Sequence, residues 1–147
     1  MNNLLSLTSP TSLRSSAISS EAHFFDETIS PATVRGYLDS REIETKVKGM
    51  KWLLAMMSKG TPCPSFFAAV VKNVSVKSVE VKRMVYLYLV EYCDYDRSCR
   101  ELALLSINAF QKDLAAGNQL IRALALRVLS SMRVPEVLQV SISFLSS

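Results

Sequence analysis

The sequence predicts an all-α fold in which helix pairs stack into a solenoid, and three observations carry that prediction. Apolar residues make up 49% of the 147 positions, while only four glycines and five prolines are present. A β-sandwich, with a turn about every 8–12 residues, needs more turn residues than that. Apolar residues also recur at helical spacing from about Glu21 onward. Finally, the chain repeats itself. Val47-Lys48-Gly49-Met50-Lys51-Trp52-Leu53 lines up with Val81-Lys82-Arg83-Met84-Val85-Tyr86-Leu87, 34 positions on, and that with Ile121-Arg122-Ala123-Leu124-Ala125-Leu126-Arg127, 40 further. The helices between match more loosely, with Phe67, Val70 and Val74 against Ile107, Phe110 and Leu114. A period in the high thirties lies near that of HEAT and armadillo helix pairs, each of which buries the face its neighbour leaves open. A compact helical bundle is the competing architecture. The repeat, and helices apolar nearly all round at Met84–Val90 and Leu120–Leu129, favour the HEAT/armadillo-like α-solenoid.

Each element has its own signal. Residues 1–20 are rich in Ser and Thr, with one basic residue, Arg14, and no acidic one. They read as a disordered tail, a transit peptide being the alternative. Ser30-Pro31 starts a short helix to Asp39, because serine caps free amides and proline suits the first helical position. Ser40 offers a second N-cap ahead of the stripe Ile43, Val47, Met50, Leu54, Met57, which Gly60 is placed to end. Thr61 to Pro64 is a loop, and Phe66, Phe67, Val70, Val71 and Val74 mark a shorter amphipathic helix. Ser78 begins the next. Arg97 to Leu114 reads as one helix stopped near Gly117, and Asn118 caps another running to about Met132. Pro135 opens a last, incomplete helix. Val47, Met50, Leu54, Met84, Val85, Tyr88, Leu124 and Val128 are expected to share one core.

Little in the residues suggests catalysis. His23 is the sole histidine and the three cysteines, Cys63, Cys93 and Cys99, are scattered. Neither a zinc site nor a nucleophile–histidine arrangement can be assembled from them. The odd cysteine number argues against a disulfide framework and for a reducing, cytosolic compartment. The glycines are too dispersed for a phosphate loop. Asp94, Asp96 and Glu101 read as helix-start capping rather than as an acid/base pair. Tyr86, Tyr88, Tyr92 and Tyr95, interleaved with Met84, Leu87 and Leu89, read as core rather than as a stacking platform. No catalytic, metal-binding or cofactor-binding residue is therefore assigned, and the longest uncharged stretch in the body of the chain, Gly60 to Val71, is too short to span a membrane.

Charge is unevenly distributed. Glu21 to Glu44 holds six acidic and two basic residues, whereas Lys46 to Arg83 holds eight basic residues and one acidic. Lys46, Lys48, Lys51, Lys72, Lys77, Lys82 and Arg83 form a candidate surface for anionic membranes or an acidic partner. Ordinary solvation of outer helix faces is the favoured reading of the same residues, because they come from several helices and need not share one face. Binding of nucleic acid or nuclear-transport partners is the third reading, although no nucleic-acid motif accompanies the charge.

Several longer motifs occur in order: Val70-Val71-Lys72-Asn73-Val74, then Val81 through Val90, Leu102-Ala103-Leu104-Leu105-Ser106-Ile107, and Asn118-Gln119-Leu120-Ile121-Arg122-Ala123 on to Met132-Arg133-Val134-Pro135. From about Asp39 to Pro135 the chain resembles the adaptin N-terminal trunk of the large β subunits of clathrin-associated adaptor complexes. Gln119 and the Ser130-Ser131-Met132-Arg133-Val134-Pro135 ending are most similar to the form found in adaptor protein complex 3. The resemblance implies a non-enzymatic scaffold in vesicle-mediated protein transport, assembled with medium, small and second large subunits. It implies cytoplasmic, peripheral association with Golgi and endosomal membranes and coated vesicles, with clathrin contact only in a full-length form. It implies no cofactor and no nucleic acid. On this reading 21–147 is an adaptin-like helical-repeat segment, incomplete at its C-terminus because the family continues well past the position of Ser147. The apolar Val137–Leu145 and part of Leu120–Leu129 are then expected to lie uncovered.

Overall fold

A computed structural model describes residues 29–133 and 146, and every regular element among them is helical. Helix α1 (Pro31–Asp39) starts as the sequence predicts, Ser30 accepting from the Thr33 amide and Pro31 filling the first position. Helix α2 (Ile43–Ser58) begins later than expected, with Glu42 at its N-cap. Ser40 instead closes α1, and its hydroxyl accepts from the Glu42 amide. Gly60 ends α2 as predicted. It takes φ +75, its N–H reaches Met57 O and the Thr61 N–H reaches Met56 O, the paired bonds of a Schellman cap.

Helix α3 (Phe67–Val71) is a turn and a half of α-helix between 3-10 turns at Pro64–Phe66 and Lys72–Ser75. All five apolar residues expected to drive it are buried. Helix α4 (Val79–Tyr92) is capped by Ser78, and α7 (Gln119–Ser131) by Asn118. The expected single helix over 97–114 is broken into α5 (Arg97–Leu105) and α6 (Ile107–Leu114). At the break Ser106 leaves helical geometry (φ -98, ψ 2) and its amide bonds Ala103 O, while its hydroxyl bonds Leu102 O. Serine competing for backbone carbonyls in this way is a known cause of helix bending. The tail at 1–20, the helix expected from Pro135 and the Val137–Leu145 segment lie outside the described residues.

The helices form two layers. α2, α4 and α7 pack side by side in chain order, and α1, α3 and α5–α6 pack against them from the other side. The pairing is periodic. First-layer helices begin at Pro31, Phe67 and Ile107, second-layer helices at Ile43, Val79 and Gln119. Both series step by 36 and then 40, which corrects the first offset of 34. The earlier alignment placed buried Leu53 opposite Leu87, which is 36% exposed. In the observed register Val34, Val70 and Phe110 are equivalent and buried, as are Leu38, Val74 and Leu114, and Leu53, Leu89 and Leu129. A HEAT/armadillo-like stack places repeated apolar faces in this way.

Six of the eight expected core residues are buried; Val47 and Leu54 are only half-buried. The reason is the roll of α2, which turns Gly49, Met50 and Leu53 inward. Gly49 lets α1 approach closely, since a Cβ there would sit 3.1 Å from Tyr37 Cβ. Leu120 is 44% exposed, but Ile121, Leu124, Ala125, Val128 and Leu129 are buried, so α7 does not show the uncovered apolar face expected of it.

Candidate interaction surface

The seven basic residues singled out by charge divide into two groups. Lys46 and Lys82 point into the stack. Lys46, four residues after its helix's N-cap, donates to Leu38 O at 2.6 Å and to Asn73 Oδ1. Lys82, also four residues after its N-cap, donates to both Asp113 carboxylate oxygens at 2.6 and 2.5 Å, and Tyr86 Oη adds a bond to Asp113 at 2.7 Å. In the 36/40 register Asn73 and Asp113 are equivalent, each near the end of the next pair's first-layer helix. Each lysine therefore links one helix pair to the following one, and both acceptors are buried. Burial lowers the Lys46 ammonium pKa, with the Asp39 charge opposing it. Burial, and then the bond to Asp113, raises that of the Tyr86 hydroxyl.

The remaining five, Lys48, Lys51, Lys72, Lys77 and Arg83, are exposed. Lys48 and Lys51 lie on α2, Arg83 on α4, Lys72 in the 3-10 turn after α3 and Lys77 in the loop before α4. Register adds a residue that the charge count missed. Arg127, exposed on α7, is equivalent to Lys51 on α2, so both project from the outer side of the second layer. The signal was present in the sequence but required the corrected offset to see.

Lys48 and Lys51 also line an open cleft of about 1080 Å³, together with Ile29, Tyr37, Ile43, Val47, Trp52 and Leu54. Glu44, Ala55, Ser58, Lys59 and Glu80 complete its wall. No cluster able to hold a metal occurs among the described residues, nor any helix long and apolar enough to cross a membrane.

The other polar groups serve packing. Tyr88 donates to Cys63 O at 2.6 Å and the Cys63 amide donates to Tyr92 Oη at 3.1 Å, tying the 61–64 loop to α4. Tyr86, Tyr88 and Tyr92 are buried, whereas Tyr95 is 54% exposed and reaches only the edge of Tyr92. Asp96 caps α5 through the Cys99 amide at 2.7 Å, and that bond lowers its carboxyl pKa. Asp94 meets Arg100 and Arg133, and Glu101 meets Arg97. All three cysteines are free and buried.

Against known proteins, the adaptin N terminal region matches residues 14–142. The chain is 48% identical over 103 residues to AP-3 complex subunit beta-2 of Mus musculus, covering 70% of this chain and 9% of the relative. It is 48% identical over 109 residues to AP-3 complex subunit beta of Dictyostelium discoideum, covering 74% and 10%. A homology model of the full-length AP-3 complex in an intermediate open conformation superposes with TM-score 0.60 at 28% identity, covering 92% of this chain and 21% of that one. The chain thus spans about a tenth of the length of the curated relatives it matches.

Proposed function

The chain belongs to the adaptin N-terminal family, and from that premise we propose that it serves as a non-enzymatic scaffold segment of an AP-3-type β subunit in vesicle-mediated protein transport. The observation that carries the reading is the coincidence of the family match with a periodic stack whose polar side chains are spent on holding helix pairs together. In this reading the medium, small and second large subunits of the complex are its partners. It works on the cytoplasmic side of Golgi and endosomal membranes, associated with them peripherally. Tagged chain captured from cells that contain an intact adaptor complex should bring down those subunits together. Recovery of the chain without any of them would count against the proposal.

Of the seven basic residues singled out by charge, Lys48, Lys51, Lys72, Lys77 and Arg83 are available to an anionic membrane or acidic partner, whereas Lys46 and Lys82 are committed inside the stack. Binding to vesicles should rise with anionic lipid and weaken with salt, because surface attraction is screened over about 8–10 Å near physiological ionic strength. Lys48→Glu with Lys51→Glu should weaken it without loss of helix content. Binding indifferent to lipid charge would leave these residues as solvated helix surface.

A further inference from the structure

The outer face of the second layer is zoned by charge once its three helices are set in register. Lys51 on α2, Leu87 on α4 and Arg127 on α7 are equivalent positions and form one row across the stack. Arg83 stands one turn before Leu87, so each helix contributes one cation to a central band. Glu44 and Glu80, equivalent to each other, border the band on the side of the helix starts. Glu91 borders it on the side of the helix ends. All of these residues are exposed, Leu87 at 36%. None of the three cations meets a carboxylate among the described residues.

We propose that this band seats an acidic amphipathic helix of a partner chain, laid across α2, α4 and α7. The site rests on the acidic-partner reading of these basic residues and gives that partner a shape. Width selects a helix. Glu80 and Glu91 are eleven residues apart, a rise of about 16 Å, and a helix with its side chains is about 10–12 Å wide. One helix therefore fits between the acidic borders. Spacing selects the sequence of the occupant. Packed helix axes lie about 8–10 Å apart, and seven residues of helix rise about 10.5 Å. A carboxylate at every seventh position thus meets one cation for each helix crossed, and the apolar residues between come down on Leu87. Val47 and Lys51 also line the open cleft, so the band runs into a concavity at its α2 end. An anionic bilayer matches less well, because a uniformly negative plane would press on Glu44, Glu80 and Glu91 as well as on the cations. A helix can turn basic residues of its own flanks toward those carboxylates.

The probe is a fluorescent, end-capped peptide helix of about 16 residues, with glutamate at every seventh position and leucine between. Its binding to the whole chain is read by anisotropy. A control peptide of the same composition carries glutamate at every fifth position, which spreads the charge round the helix. The first peptide should bind more tightly than the control, and its binding should weaken as salt rises. Lys51→Glu, Arg83→Glu and Arg127→Glu should each weaken it roughly 3- to 10-fold, while Lys72→Glu/Lys77→Glu, outside the band, should leave it unchanged. A peptide with lysine in place of glutamate should prefer the chain that carries all three reversals. Leu87→Ala should weaken binding too; if it loses helix content by circular dichroism, the charge reversals and their rescue decide the matter. No binding, or equal binding of the two peptides, would overturn the proposal. So would reversals that abolish binding to phosphatidylserine vesicles yet leave the peptide untouched, which would give the face to a membrane. If the peptide fails while the other adaptor subunits are still captured, the docking site falls and the scaffold role stands.

Discussion

Lys82 and Asp113 bring opposite charges into a helix interface, with side-chain exposures of 14% and 9%. Removing one partner of such a pair strands the other, so Asp113→Ala should destabilise the chain by about 3 kcal/mol, the lower end of the usual range because Lys82 keeps some water. Replacing the whole buried cluster with apolar residues, Lys82→Met with Asp113→Leu and Tyr86→Phe, should recover most of that loss, because the Tyr86 hydroxyl that bonds Asp113 is removed as well; urea titration of the two variants would check it. The cysteines make a second test. Burial, and then Asp94, pushes the Cys93 thiol up to about 11. Burial, with Asp96 next, does the same to Cys99. Both lie above the ordinary thiol value of 9.0, so the folded chain holds these protons more tightly than the unfolded one. Their stabilising contribution is complete below about pH 9 and is lost as pH rises through 11. The thermal midpoint should fall across that window, and fall less in Cys93→Ala/Cys99→Ala. A cluster of lysines was legible in the sequence, but which lysines turn inward was not. That depends on Asn73 and Asp113, which lie 27 and 31 residues away.

Helix starts were the most legible elements because capping is local. Ser30, Ser78 and Asn118 each bond the amides their chemistry predicts. Ser40 failed as the cap of α2 for an equally local reason, since it is already used in closing α1. The break at Ser106 was hidden because the apolar spacing continues across it through Leu105 and Ile107. Leu105 is 81% exposed at this corner while Phe110 beyond it is buried. The terminator of α2 gives a clear prediction. Gly60 holds φ +75, which costs a residue with a Cβ about 1–2 kcal/mol, so Gly60→Ala should lower stability by that amount. Asn118→Ala should cost about 1 kcal/mol by releasing the Leu120 and Ile121 amides. Thermal unfolding of the two variants would test both values.

At the scale of the whole molecule, stability comes from a repeated face. Leu53, Leu89 and Leu129 are equivalent and fully buried, one in each second-layer helix. Leu129→Ala should therefore cost about 2–5 kcal/mol, against less than about 0.5 for exposed Leu105→Ala, as read by denaturant midpoint. The stacked class was legible because apolar faces recur, yet the repeat length was not. Lys-Gly-Met-Lys and Lys-Arg-Met-Val align by letter at 34, whereas caps and burial align at 36. Similar letters on a helix two residues apart lie on different faces, and only packing tells them apart.

The functional reading rests on this stack being interchangeable with the same stretch of an AP-3 β subunit. Residues 29–133 of this chain would replace the matching stretch in the Dictyostelium discoideum relative, expressed in cells lacking their own copy. The measurement is the amount of the other adaptor subunits recovered with the chimera. The account predicts co-recovery in the proportions obtained with the unaltered subunit. A chimera that folds and accumulates but recovers none of them would contradict it.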